Sequence, residues 1–208
     1  MQPTLLPLFP LPVVLFPGAP LPLHIFEERY QQMFAEVLRS NSEFGVVLAQ
    51  DKGIVSTGCT ALVERVVERY ADGRLDLIAS GRRRFEIQAL DQELAYLRGE
   101  VRFFDDEDDA PVAEETRSRV LELAHEMARL QPPETPPVWT ARQVSFQVAQ
   151  LLTDLNVRQV LLANRSENDR LRQLAELLPS LVTKLGFTQH IQTVAPQNGH
   201  AKHNVSFE

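Results

Sequence analysis

The chain has 208 residues, 44% of them apolar and 24% charged, which is the composition of a soluble globular protein long enough to bury a real core. A formal net charge of −7 argues against nucleic acid as a main partner, because phosphate binding draws on clustered Lys and Arg. Cys59 is the only thiol, which excludes an intrachain disulfide and suits a reducing cytoplasm.

The run from Leu5 to Tyr30, LLPLFPLPVVLFPGAPLPLHIFEERY, comes first. Seven of the fourteen prolines fall in the first 22 residues, alternating with Leu, Val and Phe. Proline fixes φ and lacks an N–H, which predicts extended chain at a sheet edge or barrel rim. Pro17-Gly18 suits the centre of a type II turn, folding Leu11 to Phe16 back toward Ala19 to His24. Leu5 to Phe26 carries no charge, yet a signal peptide needs a basic n-region and the prolines would ruin a membrane helix. Export and membrane insertion are therefore not expected.

Phe26, Tyr30, Met33, Phe34, Val37 and Leu38 recur at helical spacing, predicting an amphipathic helix from Phe26 to Arg39. Glu27 and Glu28 fall in its first turn, where the helix dipole favours them. Phe44 to Ala49 reads as a buried strand, and Thr57 to Tyr70 as a long alternating one that turns at Asp72-Gly73. Leu75 to Ala79 returns, Ser80-Gly81 allows another reversal, and strands follow with Phe85, Ile87 and Ala89, then Leu97, Val101 and Phe103, on single faces. About six strands and one helix are thus predicted, coiled into a partly open barrel built mainly from hairpins.

Asp105 to Asp109 reads as an exposed acidic connector; it lacks the glycine and distal carboxylate of a calcium loop. From Ala113 onward the period is helical. A first helix spans Glu114 to Leu130 and Pro132, Pro133, Pro136 and Pro137 impose a loop. A second helix carries Val144, Val148, Leu151, Leu152 and Leu155, and Asn156 is positioned to cap a short third one. Ser166 to Asp169 approximates a capping box that starts a fourth helix, which Pro179 should kink or split. Gln189 to Glu208 reads as a tail with little structure of its own. The fold class is α+β: a β-rich part over residues 1–110, a helical bundle over 111–188 and a tail over 189–208.

The pattern P-L-F-P-L-x-x-V-x-x-P-G-x-x-x-P-L-x-I-F-E-x-R-Y resembles the opening of the N-terminal, substrate-binding domain family of Lon proteases. Gly81-Arg82-Arg83-Arg84-Phe85-Glu86-Ile87 resembles its G-x-x-R-F-x-I strand, and Gln159 to Leu177 its Q-x-L-L followed by R-L-x-x-L. Glu28 stands where members often carry Pro, and either suits a first helical turn. The resemblance implies a PUA-like β lobe, a stand-alone bacterial member and substrate binding without catalysis. Its motif positions here are Pro17, Gly18, Phe26, Glu27, Arg29, Tyr30, Gly81, Arg84, Phe85 and Gln159.

Catalytic signatures are mostly absent from the sequence. None of Lys52, Lys184 and Lys202 follows Gly or precedes Ser or Thr, so there is no Walker A pattern, and no segment resembles Lon's Ser-Lys protease module. There is no G-x-S-x-G elbow and no H-E-x-x-H pair. Cys59 reads as a small half-buried hydrophobe, and His190, His200 and His203 would hold a metal only if the tail wrapped around it. No catalytic residue, cofactor or metal is expected.

Arg84 is expected to pair with Glu27, tying helix to sheet. Arg82 and Arg83 read first as a solubilising hairpin end and second as readers of an acidic group. Trp139 reads as core packing at a junction. The expected activity is recognition of protein or peptide segments in the cytoplasm, in quality control or degradation, through a crevice between the two parts. Candidate surfaces are the rim with Pro20, Pro22 and His24, the loop Gln131 to Trp139, and Arg82 and Arg83. The alternative is a small-molecule or RNA-binding PUA-like module. No membrane partner is expected, nucleic acid is disfavoured, and no oligomeric state is assigned.

Overall fold

The computed structural model describes residues 5–107, 113–133, 139 and 142–194. Eleven elements occur among them: β1 (Leu6–Leu11), β2 (Pro20–Ile25), α1 (Glu28–Ser40), β3 (Phe44–Gln50), β4 (Gly53–Arg69), β5 (Leu75–Asp91), β6 (Arg98–Phe104), α2 (Glu114–Leu130), α3 (Val144–Ala149), α4 (Leu155–Ala163) and α5 (Glu167–Val194). The α+β class expected from the periodicities is the one observed. The strands run β2-β5-β4-β3-β1-β6, and β5 also pairs with β6, so five strands close a ring that leaves β2 outside.

The proline-rich start departs from expectation. β1 lies inside the ring instead of at an edge, pairing parallel with β3 over Leu8 to Leu11 and antiparallel with β6 over Leu6 and Pro7. The two ladders overlap only at Leu8, whose N–H donates to the Leu97 carbonyl at 2.8 Å; Pro7 precedes the β3 register and Pro10 lies beyond the β6 one, which is how a strand bearing both prolines fits between two neighbours. β2 is the true edge; it pairs with β5, not with Leu11 to Phe16, and leaves Pro20 and Pro22 exposed. The Pro17-Gly18 turn itself forms as the sequence predicts: the Ala19 N–H donates to the Phe16 carbonyl at 3.1 Å and Gly18 has φ of 76°.

No reversal occurs at Ser80-Gly81. β5 continues through it as a 17-residue strand whose first half pairs with β2 and second half with β6. Instead of turning, Gly81 receives the proline turn: Gly18 N–H donates to the Gly81 carbonyl and Gly81 N–H to the Ala19 carbonyl, both at 2.9 Å. A Cβ on Gly81 would lie 2.1 Å from the Phe16 carbonyl oxygen, so this approach admits only glycine.

The inside of the ring is small. Leu8, Val47 and Phe85 fill it, with Leu6, Ile54, Ile87, Leu97 and Val101 packed around them. Gly45 and Gly58 face the Phe85 ring, where a Cβ would come within 2.7 and 2.6 Å of its tip. The second core lies on the outer face of the strands and is continuous from Phe9 and Val46 through α1 to α2, α3 and α5. Phe9 meets Tyr30, Phe34 and Phe44 edge to face, with centroids 4.5 to 6.4 Å apart.

Helix α1 begins two residues later than predicted. Phe26 consequently sits outside it, 61% exposed and stacked on His24, while Tyr30, Met33, Phe34 and Val37 form the buried stripe. α2 has the predicted limits. The second predicted helix is cut short to six residues, and Leu155 belongs to α4, which Asp154 rather than Asn156 caps by accepting the N–H groups of Asn156 and Val157. Asn156 is already inside the helix, so its side chain is past the orphan donors.

The Ser166 cap of α5 is present, accepting from Asp169 N–H at 3.1 Å. Pro179 does not split this helix, which runs unbroken for 28 residues. Leu171, Leu174 and Leu178 before the proline and Val182 after it are all buried, and packing on both sides outweighs the missing hydrogen bond. The helix also reaches Val194, into the stretch expected to be tail; residues 195–208 lie outside the described part.

Candidate recognition site

Helices meet sheet around a knot of buried charge that the sequence did not announce. Arg84 and Arg170 are 2% and 0% exposed, and both turn toward Asp106, on the segment just after β6. Arg84 Nη2 donates to Asp106 Oδ1 at 2.6 Å, and Arg170 donates from Nη1 and Nη2 to its two oxygens, each at 2.7 Å. Arg84 Nη1 also reaches the carbonyls of Leu162 and Asn164, at the end of α4. Arg170 adds Glu167 at 2.7 Å and Ser145 Oγ at 2.8 Å, which bring in the first turns of α5 and α3.

Hydrogen bonds to Asp106, Glu167, Ser145 and the Leu162 and Asn164 carbonyls are what allow two guanidiniums to be buried side by side. Phe146 lies beneath both, 5.1 Å from Arg84 and 4.1 Å from Arg170. Burial alone would raise the Asp106 carboxyl, but the hydrogen bonds from Arg170 and Gln143 and the charges of Arg170 and Arg84 outweigh it and hold the group at about 2.

Two expectations are thereby corrected. Arg84 does not pair with Glu27, which instead holds Arg29 at 2.8 Å on the surface, beside the Tyr30 ring. Arg84 projects from the face of β5 covered by α4 and α5, whereas Glu27 is at the start of α1. The acidic run is not uniformly solvated either: Asp106 is drawn in by two cations, while Glu107 pairs with Arg165 at the surface, and Asp108 and Asp109 lie outside the described residues. The signal that could have found Arg170 was the R-L-x-x-L stretch containing it. Asp106 had no signal that set it apart from its acidic neighbours.

The remaining motif residues act in support. Phe85 fills the ring and Gln159 donates to the Thr57 carbonyl at 2.9 Å, fixing α4 to β4. Cys59 is fully buried, and burial above all pushes its thiol up to about 12, so it packs as a hydrophobe and offers no nucleophile at neutral pH. Trp139 packs against the outer core and meets His125 edge to face at 5.8 Å.

Of the candidate surfaces, Arg82 is held by Glu64 at 2.6 Å and Arg83 by Glu43 at 3.0 Å, so neither offers a free positive charge. His24 touches Asp76 at 2.5 Å on the β2 side of the sheet, and Tyr70 donates to the same carboxylate. The loop after α2 is described only to Pro133 and at Trp139; Glu134 to Val138 lie outside the described residues.

A groove made of two hollows that share Gln150 runs past the end of α3. One hollow, of about 190 Å³, lies between the Pro17-Gly18 turn and Arg142, Gln143 and Phe146. A second, of about 390 Å³, runs between Met127, Pro132 and Pro133 on one side and Leu151, Thr153 and Arg158 on the other. Gln150 borders both. The turn reaches the groove because Gly81 anchors it, and the floor is fixed because Phe146 stacks on Phe16 at 5.5 Å and beneath the arginine knot.

A small closed β ring is covered by an outer layer of helices, pinned to it through a buried Arg–Asp knot, and a groove with polar and apolar walls lies at the end of α3. The family model for the substrate-binding domain of ATP-dependent protease La (LON) matches residues 5–180, and the chain belongs to that family. A crystal structure of a Lon N-terminal domain protein from Xanthomonas campestris superposes with a TM-score of 0.68 at 31% identity, covering 84% of this chain and 98% of that one. The N-terminal domain of a Mycobacterium avium complex Lon protease shares the fold, with a TM-score of 0.59 at 22% identity over 85% and 98%.

Among curated proteins, a Lon protease of Parabacteroides distasonis is 32% identical over 110 residues, which are 49% of this chain and 13% of that protein. One from Porphyromonas gingivalis is 26% identical over 188 residues, 80% of this chain and 22% of its own length. The chain thus spans about a fifth or less of these relatives. The similarity is to the substrate-binding domain, and no catalytic domain is matched. Among the described residues no helix is long and apolar enough to cross a membrane.

Proposed function

We propose that this protein is a non-catalytic recognition module that binds polypeptide segments in the groove at the end of α3 and serves protein quality control or degradation in the cytoplasm. Membership of the Lon substrate-binding family carries this reading. The groove is consistent with it, since apolar side chains and amides together suit an extended chain: the first take side chains and the second meet backbone N–H and C=O groups. The proline-bearing edge of β2 is a poorer site for strand addition, because it lacks donors at Pro20 and Pro22.

The pairing of Arg82 and Arg83 with glutamates weighs against the RNA-binding alternative, which needs uncommitted cations along a track. Fluorescence anisotropy with a labelled unfolded polypeptide and with a single-stranded RNA tests the reading. Saturable polypeptide binding that Gln150→Trp weakens at least tenfold supports it. Binding of RNA with none of polypeptide overturns it.

A further inference from the structure

The chain carries 28 acidic residues against 21 Lys and Arg, yet among the described residues no acidic one lines either hollow of the groove. The two charged residues that do are Arg142 and Arg158. Neither forms an ion pair with any described residue, in contrast to Arg82, Arg83, Arg84, Arg98, Arg102, Arg165 and Arg170.

Arg158 is the more telling. It is half-buried, 5.4 Å over the Phe16 ring, and among the described residues its guanidinium makes one hydrogen bond, from Nη2 to the Val14 carbonyl at 2.8 Å. Its Nε is buried with no acceptor, and burial lowers its pKa with no neighbouring carboxylate to raise it. A guanidinium taken partly out of water with donors to spare is complementary to a carboxylate, which its fork can bind through two parallel bonds.

We infer that the α3 groove selects polypeptide segments in which an acidic side chain is flanked by apolar residues, with Arg158 receiving the carboxylate. This rests on the groove being the peptide site proposed above. The walls beside Arg158 match such a segment: Met127, Leu151 and the two prolines Pro132 and Pro133 offer apolar contact, and Gln131 and Gln150 offer amides to the backbone. An acidic side chain within the segment is favoured over a chain-terminal carboxylate, because terminal capture uses a nest of backbone N–H groups and the lining here is side chains of neutral amides. Arg142, exposed at the far end beside the Pro17 turn, lends the groove a second positive charge and so steers acidic segments toward it.

The test uses the full chain and short acetylated, amidated, fluorescent peptides with one Glu flanked by Leu, the Gln counterpart, and a Gln counterpart with a free terminal carboxylate. The Glu peptide should bind at least about tenfold tighter than the Gln peptide, with the preference shrinking as salt rises. Arg158→Met should abolish that preference, and Arg158→Lys should keep part of it. Side-chain Nε–H resonances of the unaltered protein give a readout that needs no variant: the Arg158 signal should move with the Glu peptide and not with the Gln peptide. Equal affinity for Glu and Gln peptides, a preference that survives Arg158→Met, or tight binding by the free-carboxylate peptide alone overturns the inference while leaving the peptide site standing. No binding by any peptide overturns both.

Discussion

Arginine is buried in two ways here, and the contrast separates what holds the molecule together from what it offers to others. Around Asp106, Arg84 and Arg170 have lost nearly all contact with water, and carboxylates, carbonyls and a serine hydroxyl take up their donors. In the groove at the end of α3, Arg158 is half-buried with one backbone carbonyl and no carboxylate among the described residues. A buried cation matched by carboxylates holds elements together; one left partly unmatched beside a hollow is the feature on which the proposed anion site rests. The two are mechanically joined, since Gln143 donates to Asp106 at 2.7 Å from the wall of the smaller hollow and Phe146 supports the knot from below.

The largest effect should come from Asp106→Ala, which strands two buried guanidiniums and should cost about 3–5 kcal/mol in urea unfolding. A loss below about 1 kcal/mol would mean that water or rearranged carbonyls replace the carboxylate and that the two arginine environments are not different in kind.

Acid should act through the same group. A carboxyl held at about 2 in the fold, against 3.8 in its ordinary state, contributes stability that is whole above about pH 4 and drains away as pH falls toward 2. The gap in urea midpoint between the unaltered protein and Asp106→Asn should accordingly narrow across that window. A gap constant with pH would place the titrating group elsewhere.

Arg158→Met keeps the stem that packs near Phe16 and removes an uncompensated charge, so stability should change by no more than about 1 kcal/mol in thermal or urea unfolding. A loss as large as that of Asp106→Ala would make Arg158 part of the scaffold and erase the distinction. Smallest of all, Glu27→Ala removes an exposed partner of Arg29 and should shift stability by less than about 0.5 kcal/mol. A large loss there would revive a structural role for Glu27 in tying helix to sheet.

Local rules were readable from residues and are met where they depend on few neighbours. The Pro17-Gly18 turn, the limits of α2 and the Ser166 cap each follow from contacts within a few positions of the chain. The same rules misplace Phe26, which fits the helical spacing of its neighbours yet precedes the first helical residue. They also misjudge Pro179, because a break expected from one missing donor is overruled by the packing of the helix's own buried Leu171, Leu174, Leu178 and Val182 into the core. The groove as such is not legible in the sequence. Pro17, Gly18 and the start of the loop at Gln131 were singled out, while Arg142, Gln150 and Arg158 were not, since nothing in a linear pattern distinguishes an arginine with a carboxylate from one without.

What the sequence determined by itself was the class of fold, the family and the short-range punctuation, because alternation, helical period and turn chemistry are properties of consecutive residues. Which strand closes the ring, why Gly81 must lack a side chain, and which arginines are matched were decided only by tertiary structure. Asp106 is the clearest case: five neighbouring acidic residues repel one another on paper, and one of them becomes the anchor of the helical layer because Arg84 and Arg170, 22 residues before it and 64 after, converge on its two oxygens.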